Sequence, residues 1–434
     1  VIPWFVDQMP RMYFQDTDHQ TQLSHLKAIV AARSSSRPID MTLVSDDASV
    51  WTTLRGDDCP GVLAEIVKNL PMDNSLRAAK VHTSLDGQIV LDTFEFGDAE
   101  PFDRDDPRQR AKLDQTIEWA ATHRPDWSTD SIEAHFRNCA SDYIGTLTPL
   151  RISHHHELFE RVSGTDGTIV ELEGESDPTL SRITVVFGNA RTRTSLERCA
   201  RLLARHGISI ARAYLDVVQD PPNGVVTYVG FVVKGPDGKA LDPESDLWTR
   251  VRKDLTRVKW VHYEVLEMLD RHPEAHIGLT EIVLGLSHLV HQVLNPRARF
   301  EFTRERVRAA VAANRDTATD IARLFKSRFD PRGPLEDEVF EERCATLTAE
   351  IERTATSESA RVVLLTMIDA IRHTLRTNYH VHGRFGLALR LDPAFLRNDD
   401  RPELPFGTFF VHGRGFDGFH VRFQDIARGG LRVV

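Results

Sequence analysis

The stretch of this chain best equipped for chemistry is Arg428-Gly429-Gly430-Leu431-Arg432. Paired glycines let a backbone approach a ligand that any Cβ would hold off. Two flanking guanidiniums suit a carboxylate or phosphate, which they can grip bidentately. An alternating strand with Phe419, Val421 and Phe423 leads into the motif. Taken alone, five such residues also describe a solvated surface turn, so the neighbourhood has to decide. The sequence stops at Val434, just past Arg432, and opens on Val1-Ile2-Pro3-Trp4 without a start Met. The expectation is part of a longer polypeptide, with an anion site begun here and completed elsewhere.

A second candidate is Asp57-Asp58-Cys59-Pro60-Gly61, directly ahead of an apolar helical pattern. A helix N-terminus offers free N–H groups and the positive end of a dipole to an anion such as an amino-acid carboxylate. The same residues are also what a tight packing turn wants, and both readings stand. His154-His155-His156 invites a metal, but adjacent helical residues point in different directions; a polar surface helix start is expected. His380 and His382 alternate on a possible strand, where packing near the site entrance is the simpler role. Cys59, Cys139, Cys199 and Cys344 are scattered, with no zinc spacing, and read as reduced thiols of a cytoplasmic protein. No metal site is expected. No Ser/His/Asp triad, P-loop or Gly-rich dinucleotide turn can be assembled, so no catalytic residue is assigned to this chain.

At 434 residues, 41% hydrophobic and 27% charged, the chain has the composition of two to four globular domains. A formal charge of −10 argues against a nucleic-acid partner. The most basic stretch, 297–308, also holds Glu301 and Glu305 and reads as a solvated helix face. No apolar run approaches the ~20 residues that cross a bilayer, so no membrane partner is expected.

Two similar patterns must position these sites. A helix at 21–32 and a polar linker, Ser34 to Pro38, come first. The first pattern has a strand at 50–54, then the turn ending at Gly61, then a helix with Val62, Leu63, Ile66, Val67 and Leu70 on one face. Strands at 76–84 and 88–96 follow, joined at Asp86-Gly87, a strong hairpin signal. A helix at 107–122 completes most of a β-α-β-β-α-β unit. The second pattern starts at Ser181 with Ile183, Val185 and Phe187 alternating. Its helix, 194–206, should end at Gly207 in a left-handed cap, and strands at 208–218 and 225–233 follow. Such units leave an open sheet edge and one bare sheet face, and strand 225–233 is apolar enough to be a liability if exposed. Helices are expected at 277–294 (buried all round), 303–329, 336–352 and 357–376, the last with Leu375 on its apolar stripe. A β-rich tail begins at Phe385.

Arg376-Thr-Asn-Tyr-His380, Phe385-Gly-Leu-Ala-Leu-Arg-Leu-Asp-Pro393, Phe410-Val-His-Gly-Arg-Gly-Phe416, His420-Val-Arg-Phe423 and Asp425-Ile-Ala-Arg-Gly-Gly-Leu-Arg432, taken together, resemble the entry to the catalytic region of the large NAD-dependent glutamate dehydrogenases. The resemblance is tight over 370–434 and looser upstream. It implies that Arg428 binds a glutamate carboxylate, that Gly429 and Gly430 allow close approach, and that Arg432 closes the motif. Val433, where small members usually carry an aromatic residue, fits the fungal-type large branch. The family's catalytic Lys and Asp and its NAD-binding fold lie downstream of this motif, outside these residues. The resemblance implies L-glutamate and 2-oxoglutarate as substrate and product, and NAD bound elsewhere in the polypeptide. The turn Gly56-Asp-Asp-Cys-Pro-Gly-Val-Leu-Ala-Glu-Ile66 and Leu91-Asp-Thr-Phe94 resemble an ACT domain, a ferredoxin-like module that commonly binds amino acids or builds oligomers; the second pattern lacks the turn and is ACT-like by topology only. The expected fold is α+β, with an N-terminal segment (1–40), ACT-like modules (41–150 and 151–240), a helical bundle (241–380) and the start of a catalytic domain (381–434). A homo-oligomer is expected; an amino-acid effector at Asp57, Asp58, Pro60 and Gly61 is one of the two readings of that turn, packing between domains the other. A stand-alone amino-acid sensor and a purely structural oligomerisation module are the rivals.

Overall fold

The computed structural model describes residues 1–34, 39–56, 59–71, 76–190, 192–260, 277–381, 386–397, 404–413 and 416–423. The chain divides into two compact units, Val1–Lys259 and Trp260–Val434.

The first unit is built on one eight-stranded antiparallel sheet. Its strands are β1 (Asp40–Val44), β2 (Val50–Gly56), β3 (Leu76–Thr83), β4 (Ile89–Phe96), β5 (Thr168–Gly174), β6 (Ser181–Gly188), β7 (Ser209–Asp220) and β8 (Gly224–Lys234). They lie in the order β1-β2-β4-β3-β7-β8-β6-β5. Each half follows one plan: two strands, a helix, two strands, a helix. The first half contributes α4 (Val62–Asn69) and α5 (Pro107–His123), the second α9 (Thr192–Arg205) and α10 (Asp246–Arg257). The outer strand of each half therefore precedes the unit as a hairpin arm, instead of following the second helix as a β-α-β-β-α-β order requires. The halves join where β3 meets β7, with Ala79 opposite Leu215, Lys80 opposite Tyr214 and Val81 opposite Ala213.

Local signals act as their chemistry dictates. Gly87 takes φ +70° in the β3–β4 hairpin and Gly207 takes φ +71° after α9. Asp106 caps α5 by accepting from the N–H groups of Arg108 and Gln109, with Pro107 in the first turn. Strand 225–233 does not lie at an edge: β8 sits between β7 and β6, and Val226, Val229, Phe231, Val232 and Val233 are fully buried. Nor is either sheet face bare. Val81 and Val90 meet Leu63 of α4 on one side. On the other, Leu54, Ile89 and Leu91 are covered by Phe5, Tyr13 and Ile29 from α1 (Ile2–Gln8), α2 (Arg11–Asp16) and α3 (His19–Ser34), and by Met9 just after α1. Over the second half that face is covered by α5 with α6 (Thr129–Arg137), α7 (Ser141–Thr146) and α8 (Pro149–Val162), through Phe136, Tyr143, Leu158 and Tyr228.

The second unit is helical around α11 (Ile277–Leu294), whose apolar residues are buried almost all round. Its neighbours are α12 (Arg304–Ala313), α13 (Arg315–Arg328), α14 (Asp337–Thr354) and α15 (Glu358–Arg372). By length and composition α11 would pass for a membrane span, yet 72% of it is buried within the protein. The expected single helix at 303–329 is two helices. Asn314 leaves helical geometry at φ −119° and ψ 42°, and its side chain donates to the Ala310 carbonyl and Thr356 Oγ1 while accepting from the Thr356 N–H. The last helix ends at Arg372 rather than 376, because Thr374–Thr377 pairs as β9 with β10 (Gly386–Leu391). Leu375 is accordingly half exposed in a strand instead of on a buried helical stripe. With β11 (Gly407–Gly413) and β12 (Phe416–Arg422) these form a four-stranded antiparallel sheet, β12-β11-β10-β9.

Burial sets the acid response of the first unit. Desolvation pushes His25 and His156 down to about 4, and His82 and His135 down to about 3. It holds His155 well below the usual range. These depressed values mean that the unfolded chain takes up protons near pH 6.5 which the fold refuses, so their contribution is complete above that pH and is lost as pH falls toward the folded values. Stability should drop from pH 6.5 to 5, by up to about 1.4 kcal/mol per pH unit for each histidine. Urea unfolding at pH 7.5, 6.5, 5.8 and 5.0 reads this directly; a flat profile down to pH 5 would contradict it.

Candidate functional site

The four-stranded sheet is the lead-in to the glycine–arginine motif, and its two faces differ. Inward, Leu387, Leu389, Leu391 and Phe410 pack into the same core as Leu284, Leu286, Met367 and Ile371. The sheet comes close to α11 because Gly285 has no side chain; a Cβ there would stand 2.7 Å from Leu387 Cδ2. One turn along, His288 reaches the sheet.

There Asp417, on β12, holds two imidazoles. Its Oδ2 lies 2.6 Å from His288 Nδ1 and its Oδ1 2.5 Å from His412 Nδ1. Arg304 adds a guanidinium at 3.4 Å from Oδ2. The imidazole rings meet edge to face at 4.8 Å. Burial alone would raise the Asp417 pKa, but the N–H groups of His288 and His412 hold it far below the usual carboxylate range. His288 is itself pushed down, by burial first, with Asp417 opposing. The three side chains could be taken for metal ligands. However, N···O spacings of 2.5–2.6 Å are those of charge-assisted hydrogen bonds. Ligand atoms each about 2.0–2.1 Å from one ion sit farther apart in a tetrahedron. The carboxylate therefore ties α11 to the β11–β12 hairpin and orients both imidazoles. Nothing in the spacing of His288, His412 and Asp417 announced this; the usable signal was a histidine inside a mostly apolar helix.

Outward, register aligns Arg376, Arg390, Phe409 and His420 in one row across all four strands. They line an open cleft of about 510 Å3. The Arg390 guanidinium sits over the Phe409 ring at 6.0 Å, and Phe409 meets His420 at 6.0 Å.

Arg428, Gly429, Gly430 and Arg432 lie outside the described residues, as do Asp57, Asp58 and His382. Pro60 and Gly61 are described. Gly61 opens α4 at φ +106°, a conformation that a side chain disfavours. The cavity beside it holds about 10 Å3, walled by Leu63, Val81, Val90, Ile208 and Ile210. The histidine triplet is not a surface helix start. His155 and His156 are buried on α8; His155 stacks on Tyr228 at 4.6 Å, and the Tyr143 hydroxyl lies 2.8 Å from its Nδ1. The amphipathic period of α8 turned this face to the sheet, and the polar character of histidine hid it. Cys139, Cys199 and Cys344 are buried thiols and Cys59 is exposed, all unbridged.

Removing the Asp417 carboxylate leaves buried N–H groups without their acceptor. Asp417→Ala should therefore cost the second unit about 3 kcal/mol. Denaturant titration measures this, and the low-field Nδ1–H resonances of His288 and His412 should vanish together. An unchanged midpoint would show the cluster to be idle.

Residues 346–434, from within α14 through the four-stranded sheet to the glycine–arginine motif, match the family described as bacterial NAD-glutamate dehydrogenase, catalytic domain. The chain is 38% identical over 88 residues to glutamate dehydrogenase 2 of Dictyostelium discoideum, covering 20% of this chain and 8% of that protein. It is 42% identical over 74 residues to the NAD-specific glutamate dehydrogenase of Saccharomyces cerevisiae, 17% of this chain and 7% of the relative. Against the NAD-specific glutamate dehydrogenase of Halomonas elongata it is 31% identical over 142 residues, 31% of this chain and 8% of the relative. The chain thus spans less than a tenth of the length of the relatives it matches. The likeness to the large NAD-dependent glutamate dehydrogenases is thus carried by the C-terminal segment of the chain.

Proposed function

We propose that this chain is the regulatory and scaffolding N-terminal part of an NAD-dependent glutamate dehydrogenase. The whole enzyme would oxidatively deaminate L-glutamate to 2-oxoglutarate and ammonia in the cytoplasm, reducing NAD. The observation that carries the reading is the catalytic-domain match over 346–434, which includes Arg428-Gly-Gly-Leu-Arg432. In this reading Arg428 grips a substrate carboxylate, Gly429 and Gly430 let ligand and backbone meet, and Arg432 closes the site. NAD is held by parts of the enzyme outside these 434 residues. The Asp417 cluster keeps the β11–β12 hairpin, and so the approach to the motif, at a fixed place on α11.

The two halves of the first unit are read as ACT-type modules, supported by their shared strand order and by one helix layer, α4 beside α9. The apolar, nearly filled surroundings of Gly61 favour a packing role for the turn over an effector site. The eight-stranded unit then serves as scaffold within a homo-oligomeric enzyme.

Two outcomes follow. The purified 434-residue chain should not reduce NAD with glutamate; steady turnover by it would overturn this domain assignment. In the full-length enzyme, Arg428→Ala should weaken glutamate binding about ten- to a hundredfold, the loss of one charge-assisted contact, while the affinity for NAD stays within twofold. Steady-state kinetics with each substrate varied in turn separates the two, and unchanged glutamate kinetics would remove Arg428 from the site.

A further inference from the structure

The two covering layers of the first unit leave a gap between them. Over the seam of the sheet, between Met12 of α2 and the α7–α8 corner, lies a cavity of about 240 Å3. At ~30 Å3 per water this is the room of about eight waters, enough for a molecule the size of an amino acid. Its floor is Gly230, in the middle of β8. That glycine has no positive φ, and a Cβ built on it meets nothing within 4 Å. Glycine inside a central strand gives up side-chain packing and marks a place where something approaches the backbone. Register sets Tyr214 on one side of Gly230 and Thr184 on the other, with Lys80 beyond Tyr214.

The charged groups of the lining are Lys80, Arg151, Arg182 and Asp216, three cations to one carboxylate. His155 also lines it and is neutral at physiological pH, since burial holds it well below its usual range. Each cation already has an acidic neighbour that holds it in place: Arg151 bonds Glu173 at 2.7 Å, Arg182 is ion-paired with Glu175 at 2.5 Å and Lys80 with Glu95 at 3.3 Å. Each guanidinium carries five N–H donors, so one carboxylate partner does not exhaust it. The aromatic walls Tyr214 and Tyr228 give the cavity an apolar middle.

We propose that this cavity is a binding site for a small carboxylate, of amino-acid or dicarboxylate size, gripped by Arg151 and Arg182 above Gly230. The site is built from both halves of the sheet and from α8, so occupancy links the two modules and their helical cover. It lies on the face opposite Gly61 and does not depend on the dehydrogenase reading.

The test uses the 434-residue chain with L-glutamate, L-aspartate, 2-oxoglutarate, succinate and inorganic phosphate, each at up to 10 mM, by thermal shift and calorimetry. At least one carboxylate should raise the melting temperature of the wild type. Gly230→Val fills the cavity with a residue that strands favour and should abolish the response while the fold persists. Arg182→Gln should weaken binding at least tenfold, which keeps the test decisive if Gly230→Val fails to fold. Arg428→Ala should leave the response intact, which separates this site from the substrate motif. The proposal is overturned if no carboxylate stabilises the wild type, if phosphate alone does, if Arg182→Gln or a folded Gly230→Val binds normally, or if Arg428→Ala removes the response.

Discussion

Everything in the first unit depends on how the unpaired edges of β3 and β7 are satisfied. A strand edge presents a row of N–H and C=O groups that need partners. Here each half supplies the partner of the other, through antiparallel pairing from Ala79–Leu215 to His82–Arg212. That pairing brings α4 beside α9, running in opposite directions. Arg193 at the start of α9 donates through Nε to the Val67 carbonyl at 3.0 Å and through Nη2 to the Lys68 carbonyl, adding donors to the carbonyls at the end of α4. At the other end, Gly61 opens α4 against Ala204 of α9, 3.8 Å from where its Cβ would be. The turn is a corner of this contact, and a side chain at position 61 would suffer from the backbone angle more than from its neighbours.

In the second unit the equivalent constraint is a helix with very little polar face. Because α11 is apolar except for a narrow stripe at Glu281, His288, His291 and Gln292, most of it must be enclosed, and the enclosing elements are other helices on some sides and the four-stranded sheet on another. Gly285 permits the close approach, and His288 converts it into a specific one through Asp417. A buried carboxylate with two N–H donors and a nearby guanidinium is costly to assemble and costly to disturb. That anchors the β11–β12 hairpin, which precedes the glycine–arginine motif in the sequence, to α11.

Much of this was readable in the sequence. The Asp86-Gly87 hairpin, the Gly207 cap, the helix at 107–122 and the buried helix at 277–294 have local signatures, and local energetics decided them. The resemblance at 370–434 lies inside the family match at 346–434. What could not be read was set by partners distant in sequence. Strands β1 and β5 pair along the edges that β2 and β6 offer; Asp40–Val44 does alternate, with Met41 and Leu43 against the core, but five residues are a short signal without that partner. Asn314 breaks a helix because Thr356, 42 residues on, receives its side chain. Leu375 left its helical stripe for a pairing in β9. The burial of His155 and His156 is not legible in their residue type, because histidine seldom announces burial; Tyr143, Tyr228 and Trp127 around them reveal it.

The strands that meet at the seam, β3 and β7, occupy the same place in each half, so a local twofold axis runs through the middle of the sheet. Two separate modules using this surface would form a dimer that dissolves on dilution. Tethered in one chain, they associate at an effective concentration fixed by the linker rather than by the cell. Duplication within one polypeptide also frees the copies from identity. The first keeps Cys59-Pro60-Gly61 ahead of its helix, while the second reads Gly188-Asn189-Ala190 at the same point. A symmetric assembly of identical chains cannot specialise one site of a pair; this internal pair can.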